Sequence, residues 1–183
     1  ISPSLGYNLT HDLHLSIGYT IEKINISSGA VSSSDFDPNL INLQRYGRQS
    51  SFNLRLTYDS RDNRLFPSRG QFHVLSGEWA SEYFGSEPGL AYKRLEATTR
   101  YYVPLPLGFV FRLQASLGWV FGGGTFGVPI SERFFPGGMF DIRGFEPRGL
   151  GPTVAVLGNS DPLSYSNKFI IGGNKQALFN VEL

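Results

Sequence analysis

"LGFVFRLQASLGWVF", Leu107 to Phe121, is the stretch on which the fold turns. Its odd positions, Leu107, Phe109, Phe111, Leu113, Ala115, Leu117, Trp119 and Phe121, are all apolar. Its even positions hold Gly108, Val110, Arg112, Gln114, Ser116, Gly118 and Val120. A period of two puts every apolar side chain on one face of a strand, whereas a helix would scatter them around its axis. Strands of soluble proteins run about 5–6 residues, so this one is unusually long. Phe109 and Trp119 share the apolar face. At ~3.3 Å per residue and a tilt of ~40°, they stand roughly 25 Å apart along a membrane normal. The apolar band between the aromatic girdles of an outer-membrane barrel is ~25 Å tall.

Other segments repeat the alternation. Leu13, Leu15, Ile17, Tyr19 and Ile21 alternate with His14, Ser16, Gly18 and Thr20. Phe52, Leu54, Leu56 and Tyr58 alternate with Asn53, Arg55 and Thr57. Leu95, Ala97, Tyr101 and Val103 oppose Arg94, Glu96, Thr98 and Arg100, and Ala177, Phe179, Val181 and Leu183 oppose Gln176, Asn180 and Glu182. Between Gln71 and Ala80 both faces are mixed, and the assignment stays open. One-sided sheets in water also alternate. Here the apolar face is long and aromatic, and the other carries Arg, Glu, Gln and Asn, as the lumen of a wide barrel does. The reading is all-β, a segment of a transmembrane antiparallel β-barrel.

Composition agrees once the period is known. Mean hydropathy is slightly negative because averaging along a strand cancels its two faces. Net charge is +1, which gives no electrostatic reason to expect nucleic acid as a partner. Cys is absent, which excludes disulfides, Cys-ligated zinc and thiol catalysis within the chain. The chain opens on "ISPSLGY" and stops at Leu183 inside an alternating run, so truncation at both ends is the expectation. Connections alternate in length: "NLTHD", "DSRDNRLFPSRG" and "VPLPLG" are compact, while Ser27–Ser50, Ser81–Leu90 and Gly122–Lys168 are long. Outer-membrane barrels separate periplasmic turns from external loops in this way.

The longest connection, at about 122–168, contains "RFFPGGMFDIRGFEPRGLGP", Arg133 to Pro152. Structureless loops beyond ~12–15 residues are uncommon. Phe134, Phe135, Phe140 and Phe145 argue against a solvated one. The large cavity open to such a loop is the barrel lumen. There the rings would pack against loop backbone, and Arg143 would meet a carboxylate of the inner wall.

Three stretches carry a family resemblance. "FFPGGMFDIRGFEPRGLGP" resembles the sixth extracellular loop of the Omp85 superfamily, most closely its barrel-assembly branch, with Arg143, Gly144 and Phe145 as the Arg-Gly-Phe motif and Gly151 and Pro152 behind it. "YDSRDNRLFPSRG", Tyr58 to Gly70, is similar to that family's strand–turn–strand, and "GGNKQALFNVEL" to the strand after the loop. The resemblance implies a sixteen-stranded barrel, of which residues 1–183 hold about seven strands. It places POTRA domains, the first strands and the closing strand outside this chain. It also implies that Glu182 is the luminal partner of Arg143, and the alternation independently puts Glu182 on the polar face. The implied function is non-covalent insertion of outer-membrane β-barrels by β-augmentation at a seam outside this segment. Implied partners are unfolded client proteins, accessory assembly lipoproteins and membrane lipid, in the bacterial outer membrane. A two-partner secretion or translocation-assembly transporter of the same superfamily, and a passive porin-like channel, stay open.

No metal, cofactor or catalytic site is expected. His11 and His14, three apart, point to opposite faces of a strand. Asp59, Asp62 and Asn63 read as Asx turn formers before they read as a calcium loop. "FGGG", Phe121 to Gly124, lacks the Lys-Ser/Thr of a phosphate loop, and no Gly-x-Ser-x-Gly is present.

Overall fold

The computed structural model describes residues 1–25, 47–122, 127–139, 141–155 and 168–183. Phe140, the second half of "FGGG", residue 26 and residues 27–46 of the Ser27–Ser50 connection, and residues 123–126 and 156–167 of the long loop lie outside them.

Among the described residues nine strands follow one another: β1 (Ser4–Asn8), β2 (Leu13–Ile24), β3 (Gly47–Asp59), β4 (Gly70–Ala80), β5 (Tyr92–Pro104), β6 (Val110–Gly122), β7 (Thr153–Ala155), β8 (Lys168–Ile170) and β9 (Lys175–Glu182). Seven form one antiparallel sheet in the order β1-β2-β3-β4-β5-β6-β9, with β7 and β8 paired as a small hairpin apart from it. The sheet is an open meander whose edges are β1 and β9. Strands β2 to β6 have 11 to 13 residues, enough to cross a bilayer at a tilt.

Register turns the alternation into two surfaces. Tyr19, Phe52, Trp79, Lys93 and Phe121 align as one row across β2 to β6. The row below it holds Ile17, Leu54, Gly77, Leu95 and Trp119. Ile17, Leu54, Leu75, Leu95, Phe179 and Val181 are exposed on this face, which lipid covers. The opposite face carries Gln49, Glu78, Arg94, Arg112, Gln114 and Glu182 and bears the long loop.

Two expectations need correction. The strand predicted from Leu107 begins at Val110. Pro106–Gly108 is a 3-10 turn instead, closed by Leu105 N–H donating to the Phe109 carbonyl at 2.8 Å. Proline fixes the start of that turn, and Leu107 at φ 65° cannot be part of a strand. The loop also runs beyond the expected 122–168. It returns to the sheet at Lys175, and it contains a 3-10 turn at Ile130–Glu132 as well as the β7–β8 hairpin.

The mixed strand at 71–80 is resolved by what covers each side. Phe72 lies on the luminal face, with the guanidinium carbons of Arg61 and Arg100 at 4.5 and 5.6 Å from its ring. His73 lies on the lipid face, 2.6 Å from Thr99 Oγ1 and 2.9 Å from Gln71 Oε1, between the rings of Tyr58 and Tyr101. Its polar atoms are satisfied within the wall, so the imidazole tolerates that face.

Candidate functional site: a luminal loop clasped to the wall

Glu182 ends β9 directly opposite Arg112 of β6. Arg112 Nη1 donates to Glu182 Oε2 at 3.0 Å, and Arg143 Nη2 from the loop reaches Oε1 at 2.8 Å. One carboxylate therefore holds two guanidiniums, one from the wall and one from the loop. Asn180, two residues back on the same face, donates Nδ2–H to the Asp141 carbonyl at 3.1 Å. Arg112 Nη2 is fixed in turn on Gln114 Oε1 at 3.0 Å. These groups line a luminal cavity of about 610 Å³ that also admits Arg100 and Met139.

The turn that presents Arg143 closes through Asp141 N–H on the Gly138 carbonyl and Gly138 N–H on the Phe145 carbonyl. Gly144 sits at φ 89°, a left-handed conformation that side chains other than glycine adopt at a cost. The Arg143 side chain is 70% exposed and that of Glu182 31%. Solvent screens such a pair to about 0.2–1 kcal/mol. The contact fixes where the loop tip sits and supplies little of the docking energy.

Most of that energy comes from the base of the loop, which the sequence did not reveal. Glu132 is buried, and Gln49 Nε2 and Arg94 Nη1 donate to it at 3.3 and 3.4 Å. Gln49 also reaches Tyr92 Oη at 3.0 Å and Glu22 Oε1 at 3.2 Å. Burial pushes the Glu132 carboxyl above the usual range, against the pull of Arg94 and the Gln49 hydrogen bond. Phe134 is 7% exposed and belongs to the apolar cluster with Ala80, Tyr92, Val120 and Val128. Its ring lies where a Cβ on Gly118 would be, 2.6 Å away, and Arg94 stacks 5.0 Å from its centroid. Phe134 and Gly173 exchange both backbone hydrogen bonds at 2.9 Å. Phe135 is half-buried under the Arg148 guanidinium, 4.0 Å from the ring centroid.

The expectation that the loop's rings are all covered is corrected for Phe145, which is 53% exposed. Its turn meets the wall through Arg143 and Asp141, and neither contact carries apolar surface. Gly151 and Pro152 lie away from the clasp; Ile171 N–H donates to the Pro152 carbonyl at 2.9 Å where the β7–β8 hairpin begins. The hairpin between β3 and β4 is held by Asx chemistry. Asp62 accepts from the backbone N–H of Asn63, Ser68 and Arg69 and from the Ser68 hydroxyl. Asp59 grips Arg61 through both oxygens, at 2.8 and 2.9 Å. His11 lies in the β1–β2 turn, not on a strand as expected, and contacts Asp12, while His14 contacts Asn8.

Long strands, an exposed apolar outer face and a surface loop folded onto the polar inner face define the wall of a transmembrane β-barrel with an internal loop. Over residues 1–183 the chain matches the Omp85 superfamily domain, and it belongs to that superfamily. It is 32% identical over 154 residues to a SAM50-like protein of Drosophila melanogaster, covering 82% of this chain and 32% of that protein. It is 32% identical over 123 residues to the outer membrane protein assembly factor BamA of Neisseria meningitidis serogroup B, covering 67% of this chain and 14% of that protein. The crystal structure of BamA from Haemophilus ducreyi lacking POTRA domains 1–3 shares the fold, with a TM-score of 0.71 at 19% identity over 98% of this chain and 35% of that one. The chain thus spans about a third or less of the length of these relatives. Its location is the bacterial outer membrane.

Proposed function

We propose that this chain is the wall and luminal-loop segment of a BamA-like insertase that assembles outer-membrane β-barrels. It acts without covalent chemistry on unfolded outer-membrane proteins, alongside accessory assembly lipoproteins and membrane lipid. The working edge is a strand seam outside this segment, where a client strand pairs with exposed backbone groups. Pairing is favoured because an unsatisfied peptide group in lipid costs several kcal/mol. The observation that carries the reading is the clasp of Arg143 and Arg112 on Glu182. It holds a surface loop on the inner wall and braces that wall while the seam opens.

The test is insertion of a client barrel into vesicles by the intact protein. Arg143→Ala is expected to lower the insertion rate about two- to five-fold, the ratio corresponding to an exposed ion pair. Simple charge reversal is a poor rescue, because arginine at 182 would face Arg112 in register. Arg143→Glu and Arg112→Glu combined with Glu182→Arg is expected to restore most of the rate. Unchanged insertion with raised ion conductance would instead mark the loop as the plug of a channel.

A further inference from the structure

On the lipid face, Lys93 stands among aromatic rings. The row Phe52, Trp79, Lys93, Phe121 has it as the single cation, 5.2 Å from the Trp79 ring centroid. Among the described residues no carboxylate lies within ion-pair distance of it. One row deeper, Gly77 sits between Leu54 and Leu95, and a Cβ built there meets nothing within 4 Å. The missing side chain leaves an apolar groove of about 440 Å³, walled by Phe52, Leu54, Leu95 and Phe121, with Trp79 and Lys93 at its outer end. β4 rises from the compact β3–β4 turn to Ala80, so the Lys93 end lies at the external interface. Every strand around the groove has both neighbours within the sheet, so its walls are complete in this chain.

We propose that this groove binds an anionic phospholipid of the outward leaflet, one acyl chain lying over Gly77 and the phosphate on the Lys93 ammonium. The depth order matches a lipid, with hydrocarbon below and headgroup charge at the aromatic belt. Charge selects the headgroup. A lysine with no carboxylate partner at a membrane surface favours an anionic lipid by about 1 kcal/mol, or roughly five-fold. The inference rests on the wall alone and holds whether or not the protein is an insertase.

The experiment places the intact protein in phosphatidylcholine vesicles containing a minor fraction of acyl-brominated lipid, either phosphatidylglycerol or phosphatidylcholine. Bromine quenches nearby indole, and subtracting the signal of Trp79→Phe isolates Trp79. Quenching by brominated phosphatidylglycerol is expected to half-saturate at about a five-fold lower mole fraction than quenching by brominated phosphatidylcholine. Lys93→Gln should abolish that difference. Gly77→Leu fills the groove without a backbone clash, and it should weaken quenching by both lipids with the β-sheet circular dichroism unchanged. Equal quenching in the unaltered protein overturns the proposal. So does a headgroup preference that survives Lys93→Gln, or quenching indifferent to Gly77→Leu.

Discussion

Glu132 and Glu182 both fasten the loop, one buried under its base and the other half-exposed at its tip. Only Glu182 was legible in the sequence: the family resemblance singled it out, and strand parity set the face it points to. Glu132 lies in a stretch with no period, and its partners Gln49 and Arg94 come from strands far away in the chain. Arg112 could have been found by pairing the strands that flank the long loop. The buried acid leaves a pH signature. Burial raises the folded pKa of Glu132 above its unfolded value, so the proton favours the docked loop. That contribution is full below the usual carboxylate pKa and is lost as pH rises through the raised one. Amide exchange at Glu132, Arg133 and Phe134, corrected for intrinsic rates, is expected to slow on acidification from neutral, and Glu132→Gln should remove the effect. Asp62 behaves in the opposite sense. The Ser68 hydroxyl first, then the backbone amides of Arg69, Ser68 and Asn63, lower it from 3.8 to about 2. The order it gives the β3–β4 turn is present above its usual pKa and is lost as pH falls towards 2. Exchange at Ser68 and Arg69 should therefore accelerate between pH ~4 and ~2 and be flat in Asp62→Asn.

At the scale of elements, strands that meet lipid on one side and water on the other were readable, and those with exceptions were not. β6 announced itself because its luminal face is interrupted by apolar residues only at its two ends, Val110 and Val120, the second of which joins the Phe134 cluster. β4 resisted because Phe72 is covered by two arginines and His73 by its neighbours, both being cross-strand facts. Gly118 stands in the alternation as one more residue of the luminal face, and only the fold shows that it admits the Phe134 ring. This ranks the loop's anchors. Phe134→Ala is expected to weaken loop docking by about 3–5 kcal/mol. Gly118→Ala, which pushes the far end of that ring, should cost about 1–3 kcal/mol. Arg143→Ala should cost under about 1 kcal/mol. Limited proteolysis of the loop in the membrane-embedded protein would read the order directly, and faster cleavage in Arg143→Ala than in Phe134→Ala would contradict it.

For the molecule as a whole, β1 and β9 are the two edges of the seven-stranded sheet, with no further strand paired to them among the described residues. Residues 1–183 expressed alone should therefore self-associate in detergent, and a monomeric species by size-exclusion chromatography with light scattering would count against that. The external loop lies on the inner face of that sheet, held on the β9 wall. The most direct measurement uses the absence of cysteine in this chain. Asp141→Cys with Asn180→Cys places two thiols on the one cavity where the Asp141 main-chain carbonyl meets the wall, and leaves Arg143 and Glu182 unaltered. Asp141→Cys with Phe179→Cys puts the second thiol on the lipid side instead. In the intact, membrane-embedded protein, a short bismaleimide is expected to join position 141 to 180 but not to 179, and the loop thiol should be slow to react with a bulky impermeant maleimide. Failure to join 141 to 180, with the loop thiol labelled from outside at the rate of a free one, would show the loop in solvent and contradict the account.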